Sequence, residues 1–181
     1  MNDNLIDSIK SAIPIYNNWP KPGVQYMNTV ELCSNPKAFY DSISWFTEQG
    51  KSIAATDIFA ADARGFIWGA PTATALNIPM HVVRKPGKLP GTVHKQSYTL
   101  EYGIDTLEMS AKIAHGDRSV MVIDDVLATG GTAEAICKLL IEKLGIAPSS
   151  ITVAVLVNLT FLPGEALLKS KNINVKGLIN A

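Results

Sequence analysis

VMVIDDVLATGGT, residues 120–132, joins four apolar residues, two adjacent carboxylates and a Thr-Gly-Gly-Thr turn. A short apolar run closed by turn residues fits a buried β-strand. The turn is small and rich in backbone N–H groups, and the residues after it, Ala133 to Leu144, have helical spacing. A helix N-terminus with free amides suits an anion, its dipole adding roughly 0.3–1 kcal/mol. Backbone groups from Ala128 to Thr132, including Gly130 and Gly131, with the hydroxyls of Thr129 and Thr132, would form such a cradle. In a parallel α/β sheet, ligands bind at the carboxyl ends of strands, which is where Asp124 and Asp125 fall. Because the acids precede the anion turn, they would meet hydroxyls or a metal rather than the phosphate itself. A phosphorylated ribose fits both halves. Neither of the commoner phosphate loops is present: there is no G-x-x-x-x-G-K-[ST], and no G-x-G-x-x-G follows a strand.

Working outward, the helix after the turn carries Ile136, Leu139, Leu140 and Leu144 on one face and ends at Gly145. Glu134–Lys138 and Lys138–Glu142 stand at the spacing of i,i+4 charge pairs. ITVAVLV, residues 151–157, is a β-branched run of the kind covered on both faces. DIFAA (57–61) and MHVVR (80–84) read as further short strands, separated by a helix running to about Leu76. Asn35-Pro36 gives an N-cap and a proline at the first helical position, opening a helix with Phe39, Ile43 and Phe46 on one face and an end near Gly50. This alternation predicts an α/β fold, a mostly parallel twisted sheet flanked by helices. Leu5, Ile6, Ile9 and Ile13 add a short amphipathic helix at the start, and WPKPG (19–23) turns the chain after it.

Residues 85–96, KPGKLPGTVHKQ, hold two prolines, two glycines and three lysines and offer little to bury. A loop this long in a compact domain is usually functional or disordered. SYTLEY and TLEMS, which follow, alternate in a way that could pair as an antiparallel ribbon.

At 181 residues the chain fits one domain with a sizeable core. Sixteen basic residues balance sixteen acidic ones, so the net field gives no reason to expect nucleic acid or a membrane as partner. Cys33 and Cys137 have no metal or disulfide spacing and read as reduced packing residues. No apolar run approaches the roughly 18 residues of a membrane span. A soluble, cytoplasmic protein is expected.

The apolar strand, two acids and ATGGT resemble the 5-phosphoribosyl 1-pyrophosphate motif of type I phosphoribosyltransferases. ARGFIWGAP (63–71), VRKPGKLPG (83–91), SYTLEYG (97–103) and VIDDVLATGGT follow one another as in the adenine phosphoribosyltransferases, a resemblance extending from about Trp19 to Asn158. Four ordered motifs are far more specific than one. The resemblance implies a single domain over residues 1–181, with an N-terminal helix and hood (1–34) and a flexible catalytic loop (85–103). It implies transfer of phosphoribosyl to adenine with release of pyrophosphate, assisted by Mg²⁺ carried with the substrate and held by no protein ligand directly. Asp124 and Asp125 would hold the ribose near that ion. Ala63 and Arg64, in a loop where the family has a non-proline cis peptide, would bind pyrophosphate together with Arg84, Lys85 and Lys88. Ser97 and Tyr98 would join them on closure of the loop, and Glu101, with Tyr102 beside it, would serve the N7 proton of the base.

WPKPGVQYMNT matches the hood over the base, where the family usually has Phe-Arg-Asp; here Tyr26 keeps the aromatic while Met27 and Asn28 replace the charged pair. Val24, Tyr26 and Met27 are the base-binding candidates, reading adenine through main-chain groups. A homodimer is implied by the family alone. Without the family, each motif has a plainer account: a capped helix, an arginine in a turn, a solvated basic loop, an exposed strand glutamate. Two other functions compete, a transferase for hypoxanthine, guanine or xanthine, and a non-enzymatic sensor of phosphoribosyl pyrophosphate. The second would need a DNA-binding domain, for which the 18 residues before Trp19 are too few. The segment from Asn158 to Ala181 matches loosely and supports no functional expectation.

Overall fold

The computed structural model describes residues 3–100, 103–113 and 115–181. Its frame is a five-stranded sheet made of β3 (Asp57–Ala61), β4 (Met80–Val83), β7 (Val120–Leu127), β8 (Ile151–Asn158) and β9 (Asn174–Asn180), in the order β4-β3-β7-β8-β9. Every pairing in it is parallel. β8 is buried at all eight positions, as its unbroken apolar run requires.

The alternation of side chains divides the core in two. Ile58, Met121, Ile123, Ala154 and Leu156 face a layer formed by α1 (Asp3–Ser11), α2 (Pro36–Ser52) and α3 (Gly65–Leu76). Phe59, Val120, Val122, Val153 and Val155 face α4 (Gly131–Leu144) and the following α5 (Gly164–Lys169). On that second face lies an antiparallel ribbon of β5 (Val93–Leu100) and β6 (Gly103–Ser110), anchored by the buried Leu107 and Met109. The hood is a small hairpin of β1 (Ile15–Asn17) and β2 (Gln25–Met27).

Local signals held where they were chemically specific. Asn35 caps α2, its side-chain oxygen accepting from the Ala38 amide at 3.1 Å, and Pro36 takes the first turn. The helix runs on past Gly50 to Ser52. Gly145 ends α4 at φ +71°, a conformation that glycine reaches without a Cβ clash. Cys33 and Cys137 are free, and burial pushes the Cys137 thiol up to about 12.

Three expectations are corrected. Val93 to Gln96 belong to β5, so the irregular loop ends at residue 92. Cross-strand partners such as Lys95 opposite Glu108 pull them into the ribbon despite their polarity. Glu134 pairs with Lys171 at 3.0 Å, and no pair with Lys138 forms among the described residues; an exposed i,i+4 pair is too weak to outweigh a tertiary partner. The strand bearing the two acids does not end at them but continues to Leu127, paired with β8.

Candidate active site

β3 leads outward to β4 on one side, while β7 leads through β8 to β9 on the other, so the winding reverses between β3 and β7. Such a switch point leaves a crevice at the carboxyl ends of the two strands, the usual ligand site of an open α/β sheet. The loop after β3 carries Asp62, Ala63 and Arg64, with a cis peptide between Asp62 and Ala63. Gly65 opens α3 against the sheet; a Cβ there would lie 2.5 Å from the Ile123 carbonyl oxygen, so the helix starts this close only because the residue is glycine. The loop after β7 carries Ala128 to Gly130 and leads directly into α4.

Two adjoining recesses share Arg64, Val126 and Ala128. The smaller, about 150 Å³, is walled by Asp124, Thr129 to Ala133 and Val155. The larger, about 540 Å³, is mostly apolar and lies under the hood, between Gly23 to Met27 and Leu159, Phe161 and Leu162. The juxtaposition suits a molecule with an anionic, hydroxylated part and a flat apolar part.

The two acids part company. Successive strand residues point to opposite faces, so Asp124 and Val126 look into the small recess while Asp125 turns inward, 1% exposed. Asp125 Oδ2 accepts from Arg64 Nε at 2.5 Å and from the buried Thr29 hydroxyl at 2.6 Å. Of the two carboxylates expected at the ribose, Asp124 borders the small recess and Asp125 is engaged by Arg64 and Thr29. Burial, together with the neighbouring Asp125 carboxylate, pushes the Asp124 carboxyl well above the ordinary carboxylate range. Arg64, by contrast, is held more firmly protonated by its hydrogen bond to Asp125.

The turn at Thr129-Gly130 is braced from an unexpected direction. Gly130 sits at φ +89°, and a Cβ on it would meet Gly164 Cα at 2.9 Å. The Gly164 amide donates to the Ala128 carbonyl at 3.1 Å. The segment after β8 thus shapes the Thr129-Gly130 turn and supplies Leu159, Phe161 and Leu162 to the hood cleft. Sequence reasoning missed these residues; the Pro163-Gly164 pair was the available signal.

Across the crevice, Arg84 Nε donates to Asp62 at 2.9 Å, and its guanidinium lies 5.8 Å from the centre of the Phe66 ring. Lys85 is paired with Asp105, and its ammonium is 3.4 Å from the Tyr98 hydroxyl. That hydroxyl lies 3.3 Å from Thr132 Oγ1 and so links ribbon to anion turn. Lys88 is exposed, and Ser97 is hydrogen-bonded to Thr106 across the ribbon. Glu108, also unanticipated, is 2% exposed and ties this basic stretch down, accepting from the Gly87 amide at 2.9 Å and pairing with Lys95 at 2.8 Å. Glu101 and Tyr102 lie outside the described residues.

In the hood, Tyr26 packs on Trp19 with ring centroids 4.3 Å apart. Asn28 and Tyr16 both donate to Glu31, at 2.8 and 2.9 Å, so the uncharged Asn28 still braces the hairpin. The Val24 amide and carbonyl are used within the turn, by Lys21 and Trp19. Asn28 N donates to Pro14 O, and opposite pairs of an antiparallel ladder alternate between bonded and unbonded. Tyr26 is therefore bonded to Tyr16, and Gln25 and Met27 turn their main-chain groups to the free edge.

Residues 42–176 match the family model described as the phosphoribosyl transferase domain. The chain is 42% identical over 180 residues to the adenine phosphoribosyltransferase of Pasteurella multocida, covering 99% of this chain and 98% of that one. It superposes on the crystal structure of adenine phosphoribosyltransferase from Thermoanaerobacter pseudethanolicus with a TM-score of 0.87 at 35% identity, covering 97% and 99% of the two chains. The Giardia lamblia enzyme, solved in complex with 9-deazaadenine, gives a TM-score of 0.89 at 29% identity, with 97% of each chain covered.

Proposed function

The chain belongs to the adenine phosphoribosyltransferase family, and from that premise we propose how its residues transfer the 5-phosphoribosyl group of phosphoribosyl pyrophosphate to adenine, giving AMP and pyrophosphate. One observation carries the assignment of parts: an anion recess and an apolar cleft meet at Arg64 and Ala128. The 5-phosphate is held by Ala128 to Thr132, whose amides open α4. Asp124 takes the ribose hydroxyls, and Ala63, Arg64, Arg84, Lys85 and Lys88 take the pyrophosphate. The base lies under Tyr26, against the free edge of Gln25 and Met27.

As the bond between C1 and pyrophosphate breaks, the sugar becomes oxocarbenium-like. The Asp124 carboxylate favours that positive charge while the basic residues stabilise the leaving oxygens. Glu101, with Tyr102, manages the N7 proton of adenine, a contribution of general acid–base type of ~10²–10⁴-fold. No cluster of acids, histidines or cysteines among the described residues would hold a metal by itself. A lone half-buried acid beside a phosphate turn instead fits Mg²⁺ that arrives with its substrate, since this ion commonly takes one or two carboxylates plus substrate phosphates. Asp124 would stand near such an ion through the ribose or water, and the chemistry the ion would supply there is neutralisation of the pyrophosphate oxygens.

The whole chain acts as one transferase domain, as a homodimer in the cytoplasm; no helix among the described residues is long and apolar enough to cross a membrane. The test is to mix the protein with labelled phosphoribosyl pyrophosphate, Mg²⁺ and each purine base and identify the nucleotide. AMP is expected; IMP, GMP or XMP as the main product would move the assignment to another purine.

Residues 85–103 serve as a lid that excludes water from the activated ribose. The irregular part, residues 85–92, has few apolar side chains to offset its ordering entropy. Amide exchange there is expected to be fast without ligand and slowed by phosphoribosyl pyrophosphate plus base, while Leu107 and Met109 stay protected throughout. Equal exchange in 85–92 with and without ligands would rule the lid out.

A further inference from the structure

We propose that Thr29 is a positioning residue that ties the hood to the pyrophosphate-binding arginine through Asp125. The inference rests on Arg64 serving pyrophosphate. Thr29 begins the 3₁₀ turn Thr29–Ser34, two residues after the last hood strand residue, Met27. Its side chain is fully buried, and its hydroxyl donates to Asp125 Oδ2 at 2.6 Å. The same oxygen receives Arg64 Nε at 2.5 Å. One carboxylate oxygen therefore holds two donors, one from the hood segment and one from the loop after β3.

The buried Asp125 Oδ1 has no hydrogen-bond partner, so the orientation of this carboxylate depends on the two donors to Oδ2. Losing one of them frees the group that sets the angle of the guanidinium. With Nε engaged, the terminal nitrogens of Arg64 are left to the crevice, and its side chain is 48% exposed there. Arg64 borders both recesses, so a hood displaced by a base would pull on Thr29 and, through Asp125, on the residue that meets pyrophosphate. Outer partners of this kind fix a ligating group that they do not themselves replace.

The test measures affinity for pyrophosphate with Mg²⁺ by calorimetry, for wild type, Thr29→Val, Thr29→Ser, Arg64→Gln and the Thr29→Val/Arg64→Gln pair. Thr29→Val keeps shape and removes the hydroxyl. It is expected to weaken pyrophosphate about 5-fold or more, the lower end of ordinary coupling between sites. Thr29→Ser should restore wild-type binding, and Thr29→Val should add nothing once Arg64 is gone. Thr29→Ala removes the same hydroxyl and carries the test should the valine variant not fold. Unchanged affinity in Thr29→Val, or an equal loss with and without Arg64, would overturn the link. Wild-type affinity in Arg64→Gln would instead overturn the pyrophosphate role of Arg64 on which the link rests.

Discussion

Adenine is expected to exceed hypoxanthine in kcat/KM by ~10⁴-fold or more, in keeping with sites that hydrogen-bond their substrate. Adenine offers an acceptor at N1 and a donor at N6, and hypoxanthine reverses both. In the proposed arrangement the groups facing the base are main chain, on the free edge of Gln25 and Met27; the Val24 amide and carbonyl are already taken in the turn. A backbone edge cannot exchange its donor for its acceptor when a side chain changes. Hypoxanthine would leave a donor facing a donor and an acceptor facing an acceptor in an apolar cleft, each an unpaired buried group. Met27→Arg is accordingly expected to alter kcat/KM without changing which base wins, since Met27 packs its side chain against the core layer of α1–α3. Comparable kcat/KM for the two bases in the wild-type protein would show that the hood reads the base by other means.

Asp124→Asn is expected to lower kcat/KM at least ~10²-fold, the scale of losing a charge-stabilising group, without lowering stability at neutral pH. The sign follows from linkage. Burial and the Asp125 carboxylate raise the pKa of Asp124 in the folded state. The folded protein thus binds that proton more tightly than the unfolded chain, and stability falls as pH rises from the ordinary carboxylate range through the raised pKa. Asparagine keeps an oxygen for the Asp125 amide, which now donates to Asp124 Oδ1 at 2.8 Å, and removes the charge. Thermal melts across this range should show wild type losing ground to Asp124→Asn as pH increases. Near wild-type turnover in the variant would sink the ribose assignment, and a parallel pH response of the two proteins would sink the electrostatic one. Asp125→Asn should behave differently: it removes the charge paired with Arg64, so it should destabilise as well as inactivate.

The sequence by itself determined the elements whose signals are local. An apolar run with its turn identified β7, β-branched continuity identified β8 as covered on both faces, and Asn35-Pro36 marked the start of α2. It also determined which chemistry is present, because the anion turn, the arginine loop and the basic stretch are each contiguous. Tertiary structure alone decided how these groups are shared out. Asp124 and Asp125 are neighbours in sequence, yet pleating sends one into the crevice and the other to Thr29 and Arg64, and no spacing rule names those partners. Leu159, Phe161 and the Pro163-Gly164 brace come to the site because β8 lies beside β7, a pairing set by burial of whole faces rather than by any local motif. Glu108 takes its role from the same cause, since only the folded ribbon brings it under Gly87 and Lys95. Contacts between distant segments depend on how the layers pack, which short-range propensity does not encode.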